Sequence, residues 1–438
     1  MFDTFRGGIH PPQRKTLTKN KSIINISVPQ LCYIPMLQHI GIPAGPIVEV
    51  GDIVTEGQLI GEAPGSNSAN IHAPVPGKVV NIFEGLTVYG KQTIVLIEAD
   101  GAFSTTGSGR VVNDFRNIDK QVLLGMIRDC GIVELGGSAF PASSKLIPPP
   151  EMKIDTLIIN GTESEPYLTN DDMLMNTYPG EIIEGVQIVL KILGIKKAVI
   201  GVEDNKKSAI EALNSAIKNI SGSSEIAVKE LRTKYPAGVE KQLVYSILKR
   251  VVKSQGLPVE AGVAVLNAGT VYAVREAVAF NKPLIDRFIT VSGEMINQPG
   301  NYRVRIGTLI SDIVEECGGL KGHPSKIVLG GPMNGIAVHT MDIPVVKSTS
   351  GILFLSEDEI GNRDFGVCVR CGKCAAACPV GLIPCDIALA VEKNRFDLAD
   401  KLNVDACIMC SCCSYICPAK RPISHFAKMA QVESGNHA

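Results

Sequence analysis

The chain has 438 residues, more than one ordinary hydrophobic core requires, so roughly two to four domains are expected. Hydrophobic residues make up 45% and charged residues 20%, as in globular proteins, and a formal net charge of −1 gives no bulk attraction to nucleic acid or anionic membranes. No apolar run reaches the length of a transmembrane helix, and the N-terminus lacks a secretory signal pattern. These features predict a cytoplasmic protein without a membrane span of its own, which can still dock on a membrane partner.

The first predicted domain, residues 1–115, consists of short strands. "VEVGDIVTEGQLIGEA" and "IHAPVPGKVVNI" alternate β-branched residues with Gly-Asp and Pro-Gly turns. The pattern resembles the barrel-sandwich hybrid of biotinyl and lipoyl carrier domains, which present a modified lysine at a hairpin tip. The tip here, residues 64–70, has no lysine. We therefore expect a scaffold or docking domain, with His72 at the surface beside the tip.

The second predicted domain, residues 116–280, alternates helices with strands. "QVLLGMIRDCGIVEL" and "GEIIEGVQIVLKILG" have amphipathic helical patterns, whereas "IDTLIING" and "KKAVIGVED" are apolar strands. Such alternation predicts a Rossmann-like α/β domain with a parallel sheet and with ligands at the carboxyl ends of its strands.

Two loops of this domain carry candidate ligand-binding residues. In "ELGGSAFPASSKL", Gly136 and Gly137 allow a phosphate or a flat ring to approach the backbone, Phe140 offers a stacking face, and Lys145 can neutralise a flavin phosphate. The alternative is an ordinary glycine turn, and the G-x-G-x-x-G fingerprint of dinucleotide-binding domains is absent.

The other loop, "NGTESEPYLTNDD", follows a strand directly. Its Asn160 can bind ribityl hydroxyls, and Glu163 and Glu165 can accept hydrogen bonds from the hydroxyls of a nicotinamide ribose. The alternative for this loop is a solvated acidic surface.

The third predicted domain, residues 281–345, alternates strand-like stretches with a short helix and resembles the soluble-ligand-binding β-grasp (SLBB) domain. It shows no convergent polar cluster, so we expect a spacer. The glycines of "GGPMNGI" are expected to serve tight turns.

The fourth predicted domain, residues 346–438, contains all the cysteines except Cys32, Cys130 and Cys317. Clustered cysteines in a cytosolic chain indicate metal binding rather than disulfides. Two runs have the spacing C-x2-C-x2-C-x3-C-P, which is the bacterial ferredoxin spacing for [4Fe–4S] clusters. The runs consist of Cys368, Cys371, Cys374 and Cys378, and of Cys407, Cys410, Cys413 and Cys417.

The fourth cysteine of each ferredoxin run ligates the other cluster. One cluster is therefore expected to take Cys417 with the first three cysteines of the first run, and the other to take Cys378 with those of the second. Zinc is the alternative, but zinc sites use two C-x2-C pairs separated by a longer spacer. Cys412 is expected to be a bystander. The domain is thus predicted to be a helical two-cluster ferredoxin module.

The whole chain resembles the RnfC family, a component of the Rnf complex, which is a membrane-bound ferredoxin:NAD⁺ oxidoreductase that pumps Na⁺ or H⁺. The segments that carry this resemblance are "FRGGIHPP", "GGSAFP", "NGTESEPY", "KYPAGVEKQL", "GGPMNGI" and the double cysteine run with "CPAKRPISHF". The central part is also similar to the flavin-binding subunit of respiratory complex I.

The resemblance implies specific roles for residues of the central domain. Contacts to FMN are implied for Gly136, Gly137, Lys145, Asn160 and Asn267. Contacts to NADH are implied for Phe140, Glu163 and Glu165. A third loop supplies Tyr235, Gly238 and Glu240. This sequence departs from the family pattern at Ser138-Ala139, beside the flavin loop, and at Thr162, which replaces an acidic residue of the complex I loop.

The implied function is that of a peripheral subunit on the cytoplasmic side of the membrane. Electrons would pass between NADH or NAD⁺, FMN, two [4Fe–4S] clusters and the other, membrane-bound subunits. One alternative is a soluble relative, such as a cobalamin reductase or an electron donor to proline reductase. Another is an iron–sulfur relay that is not an enzyme and binds no flavin.

Overall fold

The structure is a computed structural model that describes residues 4–101, 112–137, 139–219, 225–361 and 364–435. Within these ranges the strands form four sheets, and short helices form a C-terminal module. The helices described include none that is long and apolar enough to cross a membrane.

The N-terminal domain is a barrel of two antiparallel sheets, with strand orders β2-β8-β7-β4 and β3-β5-β6. A preceding strand, β1 (Ile23–Asn25), belongs to a different sheet. Alternate side chains of the barrel strands, such as Ile34, Ile60 and Val79, point inward and are fully buried. Strands β2 to β8 are Leu31–Pro35, Gly45–Pro46, Ile53–Val54, Leu59–Glu62, Ile71–His72, Gly77–Thr87 and Gly90–Ala99.

The hairpin tip of the barrel, residues 64–70, is docked against other domains. The Ser144 hydroxyl donates to the Ser66 carbonyl oxygen at 2.6 Å, and Lys347 Nζ donates to the Asn70 carbonyl oxygen at 2.6 Å. The prediction of a surface histidine is therefore wrong. His72 is buried behind the docked tip, and burial, followed by the charge of Lys347, lowers its pKa to about 3.

The central domain has a four-stranded parallel sheet in the order β11-β10-β9-β12, as the alternating pattern predicted. Its strands β9 to β12 are Thr156–Gly161, Lys197–Glu203, Glu225–Leu231 and Val263–Asn267. Its helices α1 to α7 are Lys120–Asp129, Ala142–Lys145, Asn170–Thr177, Pro179–Leu193, Lys207–Lys218, Glu240–Leu248 and Ala268–Phe280. The register pairs Asn160 with Asn267, so these two amides lie side by side at the carboxyl ends of neighbouring strands.

The third domain is a six-stranded sheet in the order β1-β14-β13-β17-β15-β16, covered by α8 (Ile310–Glu316). Strands β13 to β17 are Asp286–Ser292, Gly300–Arg305, Lys326–Leu329, Ile336–Val338 and Gly351–Leu355. The sheet therefore extends beyond the predicted segment 281–345. Strand β1 comes from before the barrel, and β17 lies in the segment assigned to the cysteine-rich domain.

The C-terminal module consists of short helices, with Ile387, Val391 and Ala430 in its core. Helices α9 to α14 are Glu357–Ile360, Lys373–Ala377, Pro384–Glu392, Phe396–Lys401, Cys412–Tyr415 and Ile423–Glu433. The third cysteine of each run lies in a short helix, Cys374 in α10 and Cys413 in α13. These two helices are in contact, which brings the two runs together.

Candidate cofactor site

A cavity of about 580 Å³ opens at the carboxyl ends of β9 and β12, within the roughly 300–1,000 Å³ of typical ligand sites. The central domain, the barrel, the six-stranded sheet and the segment before β17 all contribute to its walls. Nine of the residues singled out from the sequence line it, namely Gly136, Gly137, Asn160, Glu163, Glu165, Tyr235, Gly238, Glu240 and Asn267.

The glycine loop leaves open space beside the cavity. Gly137 has a φ of +106°, and a Cβ atom placed on it would meet no atom within 4 Å, so the backbone is accessible to a ligand at this point. Ala139 is fully buried in the hydrophobic core and does not line the cavity. The Ala139 methyl group therefore does not obstruct the cavity. Ser138, the other residue that departs from the family pattern, lies outside the described residues.

The two strand-end amides are oriented by protein partners. Asn160 Nδ2 donates to the Gly238 carbonyl at 2.9 Å, and the Thr162 hydroxyl donates to Asn160 Oδ1 at 2.7 Å. Asn267 Oδ1 accepts the Gly269 N–H at the start of α7, and its Nδ2 donates to Asp171 at 2.7 Å. Thr162, a departure from the complex I loop, thus holds Asn160 in place.

The first glutamate of the acidic loop, Glu163, caps helix α3. Its carboxylate oxygens accept the backbone N–H groups of Asp171 at 2.7 Å and Asp172 at 3.3 Å, and Lys15 Nζ lies 3.7 Å away. Carboxylates are favourable at helix N-termini. A contact between Glu163 and NADH, which the resemblance implies, stays a prediction.

The second glutamate, Glu165, faces two other elements across the cavity. It accepts a hydrogen bond from the Tyr235 hydroxyl at 3.2 Å and another from the Met333 N–H at 3.1 Å. Burial raises the pKa of Glu165 to about 7, although both donors oppose this shift. The carboxyl group therefore changes its protonation near neutral pH.

Phe140 and Lys145, which were predicted to contact the cofactors, are not among the described residues that line the cavity. Lys145 Nζ lies between two carboxylates, 3.4 Å from Glu134 Oε2 and 2.5 Å from Glu240 Oε1. Burial lowers the pKa of Lys145, but Glu134 and Glu240 outweigh burial and raise it. Lys145 is thus a charged and fully paired group, and Glu134, which does line the cavity, was missed in the sequence.

The "GGPMNGI" loop of the third domain forms a wall of the cavity, so the prediction of a spacer is wrong. A Cβ atom on Gly331 would overlap the carboxyl group of Glu165, which shows how closely this loop approaches the acidic loop. The barrel also reaches the cavity, through Tyr89, whose hydroxyl donates to the Ser348 hydroxyl at 2.8 Å. The position of the "GGPMNGI" loop directly after a strand was a sequence signal for its part in the cavity wall. No sequence pattern marked Tyr89.

The last cysteine of the first run, Cys378, lies near the first three thiols of the second run. Burial raises the pKa of Cys407 to about 11 and that of Cys413 to about 12, and the neighbouring Cys410 and Cys378 add to both shifts. Cys417 packs, partly buried, against a cluster that contains the third cysteine of each run, Cys374 and Cys413, so the two runs also meet at this point.

This crossed arrangement fits the ligand sets expected for two [4Fe–4S] clusters. In the described ranges no three His, Cys, Asp or Glu side chains are close enough to hold a single metal ion. Ligands of a four-iron cube are spaced more widely than ligands of one ion.

The cysteine module contacts the cavity through Tyr235. Its ring packs in one hydrophobic cluster with Ala377, Cys410 and Cys412. Residues of the N-terminal segment lie beside this contact, since the Gly8 N–H donates to the Ala377 carbonyl and Ile9 pairs with Tyr235. One aromatic side chain thus connects the acidic loop with the second cysteine run.

Comparison with protein-family models identifies each part of this architecture. The chain matches the RnfC barrel sandwich hybrid domain over residues 3–102 and the Nuo51 FMN-binding domain over residues 127–276. It matches the SLBB domain over residues 288–337 and the 4Fe-4S dicluster domain over residues 360–418. The protein is therefore of the class that combines an FMN domain with a two-cluster module, and the predicted fold class and cofactors are confirmed.

Curated relatives extend the similarity over most of the chain. It is 42% identical, over 91% of its length and 87% of the relative, to a subunit of the proton-translocating ferredoxin:NAD(+) oxidoreductase complex of Clostridium ljungdahlii. It is 41% identical, over 91% of its length and 90% of the relative, to the corresponding subunit of the Na(+)-translocating ferredoxin:NAD(+) oxidoreductase complex of Acetobacterium woodii. The chain belongs to the RnfC family, as the sequence motifs predicted.

A solved structure shares the fold at low sequence identity. The crystal structure of the NAD+-reducing [NiFe]-hydrogenase in the H2-reduced state superposes with a TM-score of 0.51 and 16% identity. The match covers 73% of this chain and 62% of the hydrogenase chain.

Proposed function

We propose that this protein is the NAD(H)-reactive subunit of a membrane-bound ferredoxin:NAD⁺ oxidoreductase complex. The observation that carries the proposal is the cavity, which places the acidic loop and the glycine loop around one space, with Tyr235 between that space and Cys410. FMN, when bound, supplies the exchange between the two-electron chemistry of NADH and the single electrons of the clusters.

The residues of the chain act by binding and orienting. Asn160 and Asn267, which are fixed by Gly238 and Asp171, would hold FMN at the carboxyl ends of the two strands. Glu165 accepts hydrogen bonds from the ribose hydroxyls of NADH, replacing those from Tyr235 and Met333. Hydride transfer needs no acid or base from the protein, so we assign no residue to proton transfer.

The charge of the cavity favours NADH over NADPH. Five carboxylates line it, and its described lining contains no Lys, Arg or His side chain. The 2′-phosphate of NADPH would therefore find no cationic side chain in this lining, whereas the 2′-hydroxyl of NADH can donate a hydrogen bond to an acidic side chain. The five carboxylates belong to Glu134, Glu163, Glu165, Asp171 and Glu240.

We place the protein on the cytoplasmic face of the membrane, bound to the other subunits of such a complex. The two relatives named above support this, since both are subunits of ion-translocating complexes. A reaction that uses NAD(H) and ferredoxin favours the cytoplasmic side.

An anaerobic absorbance titration of the purified chain with NADH tests the function. We expect the flavin band to bleach first and the broad absorbance of the clusters to decrease afterwards, with NADPH less effective by about tenfold or more. A protein that carries clusters but does not respond to NADH after FMN has been added would contradict the proposal and leave an iron–sulfur relay.

A further inference from the structure

The acidic loop, residues 162–169, is held from behind by a segment that precedes the barrel. Lys15 of this segment is 7% exposed. Its Nζ donates to the carbonyl oxygen of Glu163 at 2.6 Å and to that of Leu168 at 2.7 Å. A single buried side chain thus joins the beginning of the acidic loop to its end.

The backbone of the acidic loop is strained and needs such support. Glu163 has a φ of +42° and Tyr167 a φ of +69°, in the left-handed region that is unfavourable for residues with a Cβ atom. Both residues are hydrogen-bonded by the N-terminal segment. Lys15 binds the Glu163 carbonyl, the Tyr167 N–H donates to the Gln13 carbonyl at 2.8 Å, and the Thr18 hydroxyl donates to the Tyr167 carbonyl at 3.4 Å.

Two buried ammonium groups together hold three carbonyl oxygens of the acidic loop. Lys206 Nζ donates to the Thr162 carbonyl at 2.6 Å, and Lys15 holds those of Glu163 and Leu168. Burial, followed by the charge of Lys206, lowers the pKa of Lys15 to about 8, so the group is still mainly an ammonium at pH 7. Hydrogen bonds from a charged donor are about twice as strong as neutral ones.

Lys15 stands on the opposite side of the acidic loop from the cofactor cavity. It is not among the described residues that line that cavity, but it lines a second cavity, of about 170 Å³. Ser164 lines both cavities, so the acidic loop is the partition between them. Lys15 therefore acts on the cofactor cavity through the loop and does not touch a ligand there.

We propose that Lys15 is a positioning residue for NAD(H), which holds the acidic loop in the conformation that presents Glu165 to the nucleotide. The inference rests on the proposed function and deepens it, because it gives the segment before the barrel a role in NAD(H) affinity. Without the ammonium group, the backbone of Glu163 is free to leave the left-handed region, and Glu165, two residues further on, loses its fixed position.

The test measures the dissociation constant of NAD⁺ for the flavin- and cluster-loaded full chain at pH 7, from the change that NAD⁺ causes in the flavin absorbance. NAD⁺ does not reduce the flavin, so the change reports binding alone. The variants are Lys15→Ala and Lys15→Gln, which keeps an N–H donor for one carbonyl. Lys19→Met is the matched control, because Lys19 belongs to the same segment but is exposed and donates to the Asn205 carbonyl at 3.0 Å.

We expect Lys15→Ala to weaken NAD⁺ binding by about tenfold or more, as loss of hydrogen bonds from a charged group predicts, with wild-type FMN content. The second cavity gives small amines access to the deleted side chain. n-Propylammonium should therefore restore the NAD⁺ affinity of Lys15→Ala to within about threefold of wild type, whereas tetramethylammonium, which has the charge but no N–H, should not. Lys15→Gln should have an intermediate affinity, and Lys19→Met that of wild type.

Equal NAD⁺ affinities in Lys15→Ala and Lys19→Met would overturn the proposal. A weaker affinity that n-propylammonium does not restore would also overturn it, because Lys15 would then only support the fold, and equal rescue by both amines would exclude the hydrogen-bonding role. Absence of any NAD⁺ effect on the flavin of the wild-type chain would instead contradict the proposed function. If Lys15→Ala does not fold, as judged by its cluster absorbance, Lys15→Gln decides, since wild-type NAD⁺ affinity in that variant would overturn the proposal.

Discussion

Glu165 lines the cavity and links it to the third domain directly and to the cysteine module through Tyr235. It accepts hydrogen bonds from Tyr235 and from the Met333 N–H, and Tyr235 packs against Cys410. Its pKa of about 7 means that it is an anionic acceptor only above neutral pH. Binding of a ribose hydroxyl to this carboxyl group therefore becomes weaker as the pH falls below about 7.

The variant Glu165→Gln tests this dependence. We expect NADH binding at pH 8 to weaken by about tenfold or more, because a hydrogen bond to a charged acceptor is lost, while FMN content is unchanged. The rate of flavin reduction against NADH concentration, measured by stopped flow from pH 6 to pH 8, gives the affinity. Its inflection near pH 7 should vanish in the variant.

The exposed Glu151→Gln is the matched control and should behave as wild type. Equal NADH affinity in Glu165→Gln and wild type at pH 8 would show that Glu165 only supports the fold.

At the scale of elements, the barrel hairpin is the main departure from expectation. The sequence correctly indicated its strands and the missing lysine, but its docking depends on Lys347, which lies far along the chain. Lys347 Nζ donates to the carbonyls of Asn70 and Gly131 and is almost fully buried. No local pattern reveals such a long-range contact, and the burial of His72 follows from it.

Comparison of the wild type with Lys347→Met should show how the buried amine makes the stability of the protein depend on pH. Burial lowers the pKa of Lys347 to about 7, so between about pH 7 and 10 the unfolded state binds more protons than the folded state. The lowered pKa is therefore a penalty on folding that is absent above about pH 10, grows as the pH falls and is complete below about pH 7. From pH 7.5 to pH 9 the stability of wild type relative to Lys347→Met should increase by about 2 kcal/mol.

Thermal melts of both proteins across this pH range provide the measurement, with the exposed Lys91→Met as the control. A melting-temperature gap that stays constant between pH 7.5 and pH 9 would show that Lys347 is charged in the folded protein.

For the whole molecule, the N-terminal segment connects the flavin domain with the cysteine module. Lys234 Nζ donates to the Phe5 carbonyl, and the Gly8 N–H donates to the Ala377 carbonyl at 2.8 Å. A Cβ atom on Gly7 would stand 2.6 Å from the Cys378 carbonyl oxygen. Gly7 is thus needed for close approach to the cysteine module, and Gly8, whose added Cβ would stand 2.7 Å from the Tyr235 carbonyl oxygen, for close approach to the flavin domain.

Gly7→Ala is expected to loosen this contact. The φ of +72° at Gly7 costs an alanine about 1–2 kcal/mol, and the clash with Cys378 adds about 1–3 kcal/mol. NADH should still bleach the flavin at the wild-type rate, whereas bleaching of the clusters should be slower. Rapid-mixing absorbance at the two bands separates these steps.

Gly51→Ala is a matched control, because Gly51 also has a positive φ but no atom within 4 Å of its added Cβ. Cluster bleaching at the same rate in both variants would contradict a role for the N-terminal segment in electron transfer.

The architecture could be predicted from the sequence where the signals were local. The strand "IDTLIING" and the helix "GEIIEGVQIVLKILG" correspond to β9 and α4. The joint cavity could not be predicted, because Tyr89, Ser348 and the "GGPMNGI" loop come from segments up to hundreds of residues apart. Glu134 was not predicted to line the cavity, because a single acidic residue beside a glycine loop forms no recognisable sequence motif.

The pairing of β1 with β14 also has a consequence for synthesis of the chain. Ile23 pairs with Asn301, so 278 residues must be added before the first strand can meet its partner. At about 5–20 residues per second, this takes on the order of tens of seconds. During that time the barrel can fold as a unit, while β1 remains an unpaired strand that a chaperone or a second nascent chain can bind. Final closure of the protein is thus a late event, which joins the beginning of the chain to its last third.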